Sequence, residues 1–347
     1  MILRRTFFKV FFLVLLYIIS LCGLFVAYRF HQNGHLSYEN IWGNKTSPTR
    51  NHVTHEMPFP LFPPSSSFLE YINISSYPYI INEPNKCKVE SPFLIFLVET
   101  VAIEVDNRMA IRRTYGNPTF SKRASIMCLF LLGKNSNENS NVILKESNTY
   151  HDIIQKDFQD TYRNLTIKTM MGIEWVSNHC PTAKYVMKTD SDMFVNTDRL
   201  LDLLGPDQPQ KQNYFTGFVM KYGRPHRNMD SKWYMPHSIY PGKYYPTFCS
   251  GTGYVFSGDV APKILRSSFY VKYVYLEDVF VGICLDREGV KVQRPPDNEL
   301  FSNNRVEFDP CVYNRIITSH YMNPADLINY WFILQDQKEQ CSKSSLN

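Results

Sequence analysis

With 347 residues, 44% of them hydrophobic, the chain has enough apolar material for one domain of about 250 residues plus an appendage. The net formal charge of +5 is modest and spread without a basic block, which excludes nucleic acid as the main partner while tolerating a small anionic ligand such as a nucleotide. An aromatic fraction of 15%, from 23 Tyr, 24 Phe and 4 Trp, suits sugar rings as well as core filling.

In chain order, the first feature is an uncharged run from Val10 to Tyr28, preceded by Arg4, Arg5 and Lys9. Its length is about the ~20 residues a helix needs to cross a bilayer. By the positive-inside rule the basic residues hold the N-terminus in the cytosol. A cleaved signal peptide is the alternative, but the run is longer than the usual h-region and no small-x-small site follows it. The reading is a cytosolic tail over 1–9, a transmembrane signal-anchor over 10–28 and a lumenal stem over 29–90. The stem contains Pro58, Pro60, Pro63 and Pro64 and then Ser65, Ser66 and Ser67, with no helical period. Sequons at Asn44, Asn73 and, further on, Asn164 agree with lumenal exposure. Eight cysteines form none of the close pairs of a zinc ribbon. With Cys22 in the apolar run, seven remain, so a few disulfides leave at least one free thiol or an intermolecular bridge.

From Ser91 the texture becomes that of a folded domain, taken as 91–341. Phe93–Val98 reads as a buried strand, Asp106–Thr114 as a helix with Asp106 as its N-cap, and Ala124–Leu132 as a second strand. Ile143–Trp175 reads as mostly helical, Lys184–Lys188 as a third strand, Thr197–Leu204 as a helix and Tyr214–Val219 as a strand. The alternation predicts an α/β fold with a largely parallel sheet, in which ligands sit beyond the carboxyl ends of strands.

Beyond the third strand stands Thr189-Asp190-Ser191-Asp192. Two carboxylates one residue apart can hold Mg²⁺ or Mn²⁺ against a diphosphate, or can be ordinary turn residues. Glu277 and Asp278 lie between apolar residues, where a carboxyl with a raised pKa can serve as a general base, or where paired acids simply favour a helix N-terminus. Phe248 to Val255 carries Gly251 and Gly253, which allow close approach of backbone to a ligand or a bend entering a strand.

Taken together and in order, Arg108–Gly116, Asp157–Gly172, Tyr185–Asn196, Lys232-Trp233-Tyr234, Phe248–Gly258, Leu276–Cys284 and Ile317–His320 resemble the β1,3-glycosyltransferases of glycosyltransferase family 31. That family includes β1,3-galactosyltransferases, β1,3-N-acetylglucosaminyltransferases and fringe proteins, and the blocks FCSGTGYVFSGD and LEDVFVGIC are most similar to the galactosyltransferases that extend N-acetylglucosamine. The resemblance implies a GT-A domain, a Rossmann-like sheet binding UDP-galactose with Mn²⁺ or Mg²⁺, on a single-pass type II protein of the Golgi membrane. It implies an acceptor glycan ending in β-N-acetylglucosamine and leaves room for a homo-oligomer. Carried over by position, Asp190 and Asp192 are the metal–diphosphate motif, and His320 completes the metal site or is a surface histidine before the Asn323-Pro324 turn. Asp278 is the catalytic base and Glu277 orients the acceptor. Arg108, Arg112 and Gly251 fall at the donor, the arginines alternatively on a solvated helix face, and Trp233 and Tyr254 line the sugar site or fill the core. The chain departs from the family pattern at Arg113-Thr114-Tyr115-Gly116 and at Glu99–Ile103, both near the implied uridine pocket. An N-acetylglucosaminyl- or N-acetylgalactosaminyltransferase on the same fold is the rival reading, and a non-catalytic lumenal binding protein or chaperone is the rival from another class.

Overall fold

A computed structural model describes residues 71–89, 91–135 and 140–344. The expected tail and anchor, most of the stem and the sequon at Asn44 lie outside the described residues. Among the described residues no helix is long and apolar enough to cross a membrane.

The central element is β2 (Leu94–Glu99), whose six residues are all buried. A strand with no polar face must be covered on both sides. It lies between β3 (Ile126–Lys134) and β5 (Tyr185–Asp190), parallel to both. The full sheet runs β1-β4-β3-β2-β5-β8-β7, with β1 (Tyr79–Ile81), β4 (Ile153–Gln159), β7 (Phe215–Met220) and β8 (Phe248–Ser257) completing it. The chain builds outward from β2 through β3 to β4, then returns to the other side of β2 with β5. That reversal is a topological switch point, where a crevice opens beyond the carboxyl ends of β2 and β5. Their last residues, Glu99 and Asp190, are in register.

Helices α1 (Lys86–Val89), α2 (Val105–Arg112), α3 (Ser140–Tyr150), α4 (Leu165–His179) and α5 (Thr197–Leu204) are followed by α6 (Ala261–Ser268), α7 (Glu277–Arg287), α8 (Pro310–Tyr313) and α9 (Pro324–Ser344). One face of the sheet is covered by α4, α6 and α7 around Trp175, Phe256 and Phe280. The other packs on α2, α5 and α9 around Phe96, Phe194 and Trp331. A small second sheet pairs β6 (Phe194–Val195) with β9 (Thr318–Ser319) in antiparallel register.

Three sequence expectations change. The stretch 143–175 is helical at both ends but not continuous: β4 interrupts it, because Ile153, Ile154 and Phe158 are needed in the core beside β3. Helix α2 begins at Val105 with Glu104 in the N-cap position, leaving Asp106 in its first turn. The folded body is also under way before residue 91. Ile72 and Ile74 are fully buried, β1 pairs with β4, and a disulfide joins Cys87 to Cys180. A second disulfide links Cys311 to Cys341, while Cys128, Cys249 and Cys284 are free and buried.

Candidate active site

Asp190 ends β5, and the tight turn Ser191-Asp192 carries the chain into β6. The turn is held from two sides. Ser191 Oγ donates to Glu104 Oε2 (2.8 Å), Asn107 Nδ2 donates to the Ser191 carbonyl (3.3 Å), and Met322 N donates to the Asp192 carbonyl (2.8 Å). Pairing of β6 with β9 then delivers His320, 128 positions downstream of Asp192, to the same spot. Its Nε2 lies 3.3 Å from Asp192 Oδ2. One ligand atom from each of Asp190, Asp192 and His320 falls within a 4.8 Å set. His320 Nδ1 is 2.8 Å from the Asn303 carbonyl oxygen, which can only accept. Nδ1 therefore carries a proton, and Nε2 is the nitrogen that faces the two carboxylates: protonated it donates to Asp192, and deprotonated it offers its lone pair to a cation, as metal-binding imidazoles are commonly oriented. Two carboxylates and such an imidazole fit a divalent cation of the Mg²⁺/Mn²⁺ class. Burial opposes a charged His320, but the hydrogen bond and charge of Asp192 outweigh it and raise its pKa.

Behind this triad lies a buried charge cluster centred on Lys188. Its ammonium contacts Asp190 Oδ1 at 2.7 Å, the Gly251 carbonyl at 2.6 Å and Glu277 Oε1 at 3.1 Å. Glu99 Oε2 lies 3.2 Å away but without a well-directed hydrogen bond. Burial alone would depress the lysine; the three carboxylates more than offset it and hold it charged. Burial likewise pushes Glu277 up to about 8 and Asp190 up to about 6, against the pull of Lys188. Glu277 Oε2 also accepts from Tyr254 Oη at 3.1 Å and from Thr169 Oγ1 at 3.3 Å. With this many donors Glu277 is locked in place.

Asp278 is the second residue of α7 and, unlike Glu277, is partly exposed. Its Oδ1 accepts from its neighbour's backbone, Val279 N (2.8 Å), and its Oδ2 from Gly251 N (3.2 Å). Burial raises its pKa, with those two N–H groups opposing. A carboxylate fixed by backbone donors, open to the cleft and raised in basicity has the attributes of a general base. Gly251 is required for this arrangement, since a Cβ there would lie 2.3 Å from Glu277 Oε1.

Other expected residues sit elsewhere. Arg108 is fully buried, and its five N–H groups are all engaged, by Glu146, Thr100 Oγ1 and the carbonyls of Val101 and Ala102. It has no donor left for a diphosphate and instead braces the loop after β2. Arg112 pairs with Asp152 and Glu146 and lies over the Tyr150 ring, so it too serves the fold. Tyr254 is a core residue whose hydroxyl orients Glu277; it cannot face a sugar. Trp233 is 45% exposed, its ring tilted at 42° to that of His226 with centroids 5.4 Å apart. Asn73 is exposed, and the Asn164 amide donates to the Gln159 carbonyl.

Four contributors escaped the sequence reading. Glu99 stood out only as the start of the Glu99–Ile103 departure from the family pattern, and Lys188 was hidden inside a run read only as a strand, although a charge within a buried strand is itself a signal. Asn303 orients His320 through its backbone, which leaves no trace in residue type. Tyr162 is 47% exposed, and the charges of Asp278, Glu277 and Asp190 add to burial in pushing its hydroxyl up to about 12, so it borders the acidic centre.

Fold and site together define a three-layer α/β domain with a metal-competent acidic cleft at its switch point. The galactosyltransferase family model matches residues 106–296, and a model described as the Beta-1,3-galactosyltransferase 2 N-terminus matches residues 65–95. Human Beta-1,3-galactosyltransferase 2 is 50% identical over 270 residues, covering 77% of this chain and 64% of that protein. Mouse Beta-1,3-galactosyltransferase 1 is 46% identical over 269 residues, covering 77% of this chain and 81% of that one. This chain thus spans a little under two thirds of the length of the first of these. The catalytic domain of Drosophila beta1,4galactosyltransferase 7 gives a TM-score of 0.35 at 11% identity over 67% of this chain and 71% of that one. The chain belongs to the galactosyltransferase family, on the extent of the family-model match and the identity to these relatives.

Proposed function

We propose that the protein is an inverting β1,3-galactosyltransferase with a GT-A domain, transferring galactose from UDP-galactose to a glycan ending in β-N-acetylglucosamine. The observation that carries the reading is the juxtaposition of a fixed, partly exposed Asp278 with the Asp190–Asp192–His320 set across one cleft. In the proposed reaction Asp278 accepts the proton of the acceptor 3-hydroxyl. That oxygen forms its bond to the anomeric carbon of galactose as the bond to UDP breaks, from the opposite face, so an α-linked donor gives a β-linked product. One displacement needs a single base, unlike the two-carboxylate retaining scheme. Asp190, Asp192 and His320 hold Mn²⁺ in this reading; when bound, it neutralises charge that builds on the departing diphosphate. Glu277, buried and immobilised by Lys188 and Tyr254, acts on the acceptor only through its neighbour Asp278, and Gly251 keeps room for both acids.

The identity to named β1,3-galactosyltransferases supports the donor and the linkage. The run over 10–28, the stem and the sequons support a type II protein of the Golgi membrane with its catalytic domain in the lumen. The test offers UDP-galactose, UDP-N-acetylglucosamine and UDP-N-acetylgalactosamine in parallel with Mn²⁺ and a β-N-acetylglucosamine acceptor, and reads the linkage by NMR. Galactose transfer in a β1,3 bond, lost with chelator and in Asp278→Asn, is expected. Near-normal turnover in Asp278→Asn would remove the base assignment, and transfer from another donor would move the chain to a different subgroup.

A further inference from the structure

The segment 221–246, between β7 and β8, contains five cationic side chains and one acid, Asp230. It therefore concentrates most of the chain's positive excess. Three of the cations precede an aromatic residue at even spacing: Lys221-Tyr222, Lys232-Trp233 and Lys243-Tyr244. All six residues are exposed, Tyr222 by 80%. Tyr222 adopts φ 57°, a left-handed conformation disfavoured for a bulky residue, and holds its ring outward.

The rings are assembled rather than scattered. Tyr222 and Tyr244 meet edge to face with centroids 6.4 Å apart, and Arg224 and Lys243 both lie over the Tyr244 ring. Lys232 lies over Trp233, whose ring meets that of His226 at a tilt. Beneath them Arg227 ties the segment together by donating to the carbonyls of Met235, Tyr240 and Gly242. Buried Tyr245 packs its ring on Phe248. Among the described residues no carboxylate pairs with Lys221, Arg224, Lys232 or Lys243.

Placement links this surface to the cleft. Met220 and Phe248 are partners where β7 and β8 part, and β8 runs antiparallel to β5. The segment therefore springs from the sheet edge to which β5 delivers Asp190, and it ends shortly before Gly251.

We propose that this cationic–aromatic surface is an acceptor-side subsite for an acidic saccharide, a sugar chain bearing sulfate, phosphate or carboxylate groups next to the residue that is glycosylated. Sugar faces stack on the exposed rings, and the anionic substituents meet the unpaired lysines and Arg224. The proposal rests on the acceptor-glycan reading above.

The full-length chain is titrated with two oligosaccharides ending in β-N-acetylglucosamine, identical except that one carries 6-O-sulfate on its internal sugars. Binding is read by calorimetry, independently of transfer. The sulfated chain is expected to bind about tenfold tighter at low salt, with the ratio falling toward one near ~0.5 M NaCl. A Lys221→Glu/Lys243→Glu double variant, checked for folding by circular dichroism, is expected to abolish the ratio. A ratio near one in the unmodified chain, or one unchanged by the double variant, overturns the proposal. So does binding to phosphatidylserine vesicles that the double variant loses, with no preference between the saccharides. A sulfate preference without galactose transfer to either saccharide would sink the transferase reading and leave the subsite standing.

Discussion

Gly251 and Glu277 approach so closely that the smallest side chain at 251 would collide with the Glu277 carboxylate, at 2.3 Å from Oε1. The same glycine donates its N–H to Asp278 and offers its carbonyl to Lys188. Gly251→Ala is therefore expected to displace Glu277 and unseat Asp278 together. Transfer should fall by about 100-fold or more, since small misplacements of reacting groups have that effect. Overpacking should also cost about 1–3 kcal/mol of stability. Steady-state kinetics beside thermal melting checks this; normal turnover in the variant would show that the tight approach has no catalytic consequence.

Glu277 gives stability a pH dependence whose sign follows from its raised pKa of about 8. A carboxyl that binds its proton more tightly folded than unfolded stabilises the fold below its ordinary value. It loses that contribution as pH rises toward 8. In chelator, the melting temperature should therefore decline between about pH 4.5 and pH 8, and Glu277→Gln should flatten the decline. An equally steep decline in the variant would assign the effect to another group.

His320→Ala removes the only nitrogen of the triad. The affinity for Mn²⁺, read by calorimetry or electron paramagnetic resonance, should drop by about 10–100-fold, with the melting temperature in chelator little changed. Unaltered Mn²⁺ affinity would leave His320 as a partner of Asp192 alone.

Arg108→Ala should act on the fold. Glu146 keeps Arg112 but loses its bidentate partner, and the carbonyls of Val101 and Ala102 lose their donor, at a cost of about 1–3 kcal/mol, visible as a fall in melting temperature. Because the guanidinium spends every donor internally, UDP affinity measured on the remaining folded protein should stay within about twofold of normal. A selective loss of UDP binding at unchanged stability would restore a direct donor contact.

Tyr162 borders the acidic centre from a single 3-10 turn, Tyr162–Asn164, that is anchored on both flanks. Tyr273 Oη donates to the Arg163 carbonyl and Thr166 Oγ1 to the Val274 carbonyl, tying the turn and the helix after it to the loop that leads into Glu277. Tyr162→Phe should raise the acceptor KM by about 5–30-fold, the range of one lost hydrogen bond, while sparing the donor KM. Equal effects on both substrates would point to a general disturbance of the cleft.

Much of this was legible beforehand. The strands led by Phe93 and Lys184 announced themselves as short runs, Asp190 and Asp192 stood out as acids just beyond such a run, where a sheet edge must fall, and Asp278 stood out as one of two adjacent acids between apolar residues. Strand β4 was not legible, because Gln155, Lys156 and Asp157 interrupt its apolar pattern and its pairing with β3 is decided by the tertiary core. The arginines misled for a different reason. Sequence places Arg108 near the crevice, but whether a guanidinium turns outward or inward depends on Glu146, 38 positions away and on another helix. Tyr254 was open between sugar site and core, and the core is where it lies, since its face of β8 is fixed by register with Lys188 rather than by residue type.

The β6–β9 pairing sets a timetable for the protein's maturation. Asp192 has left the ribosome long before His320 exists, and the strand that presents His320 can dock only after residues 318–319 are made. The imidazole therefore joins the acids late in synthesis, followed by α9 and by Cys341, the partner of Cys311, so the cleft is completed well past the stretch 106–296 that identifies the family.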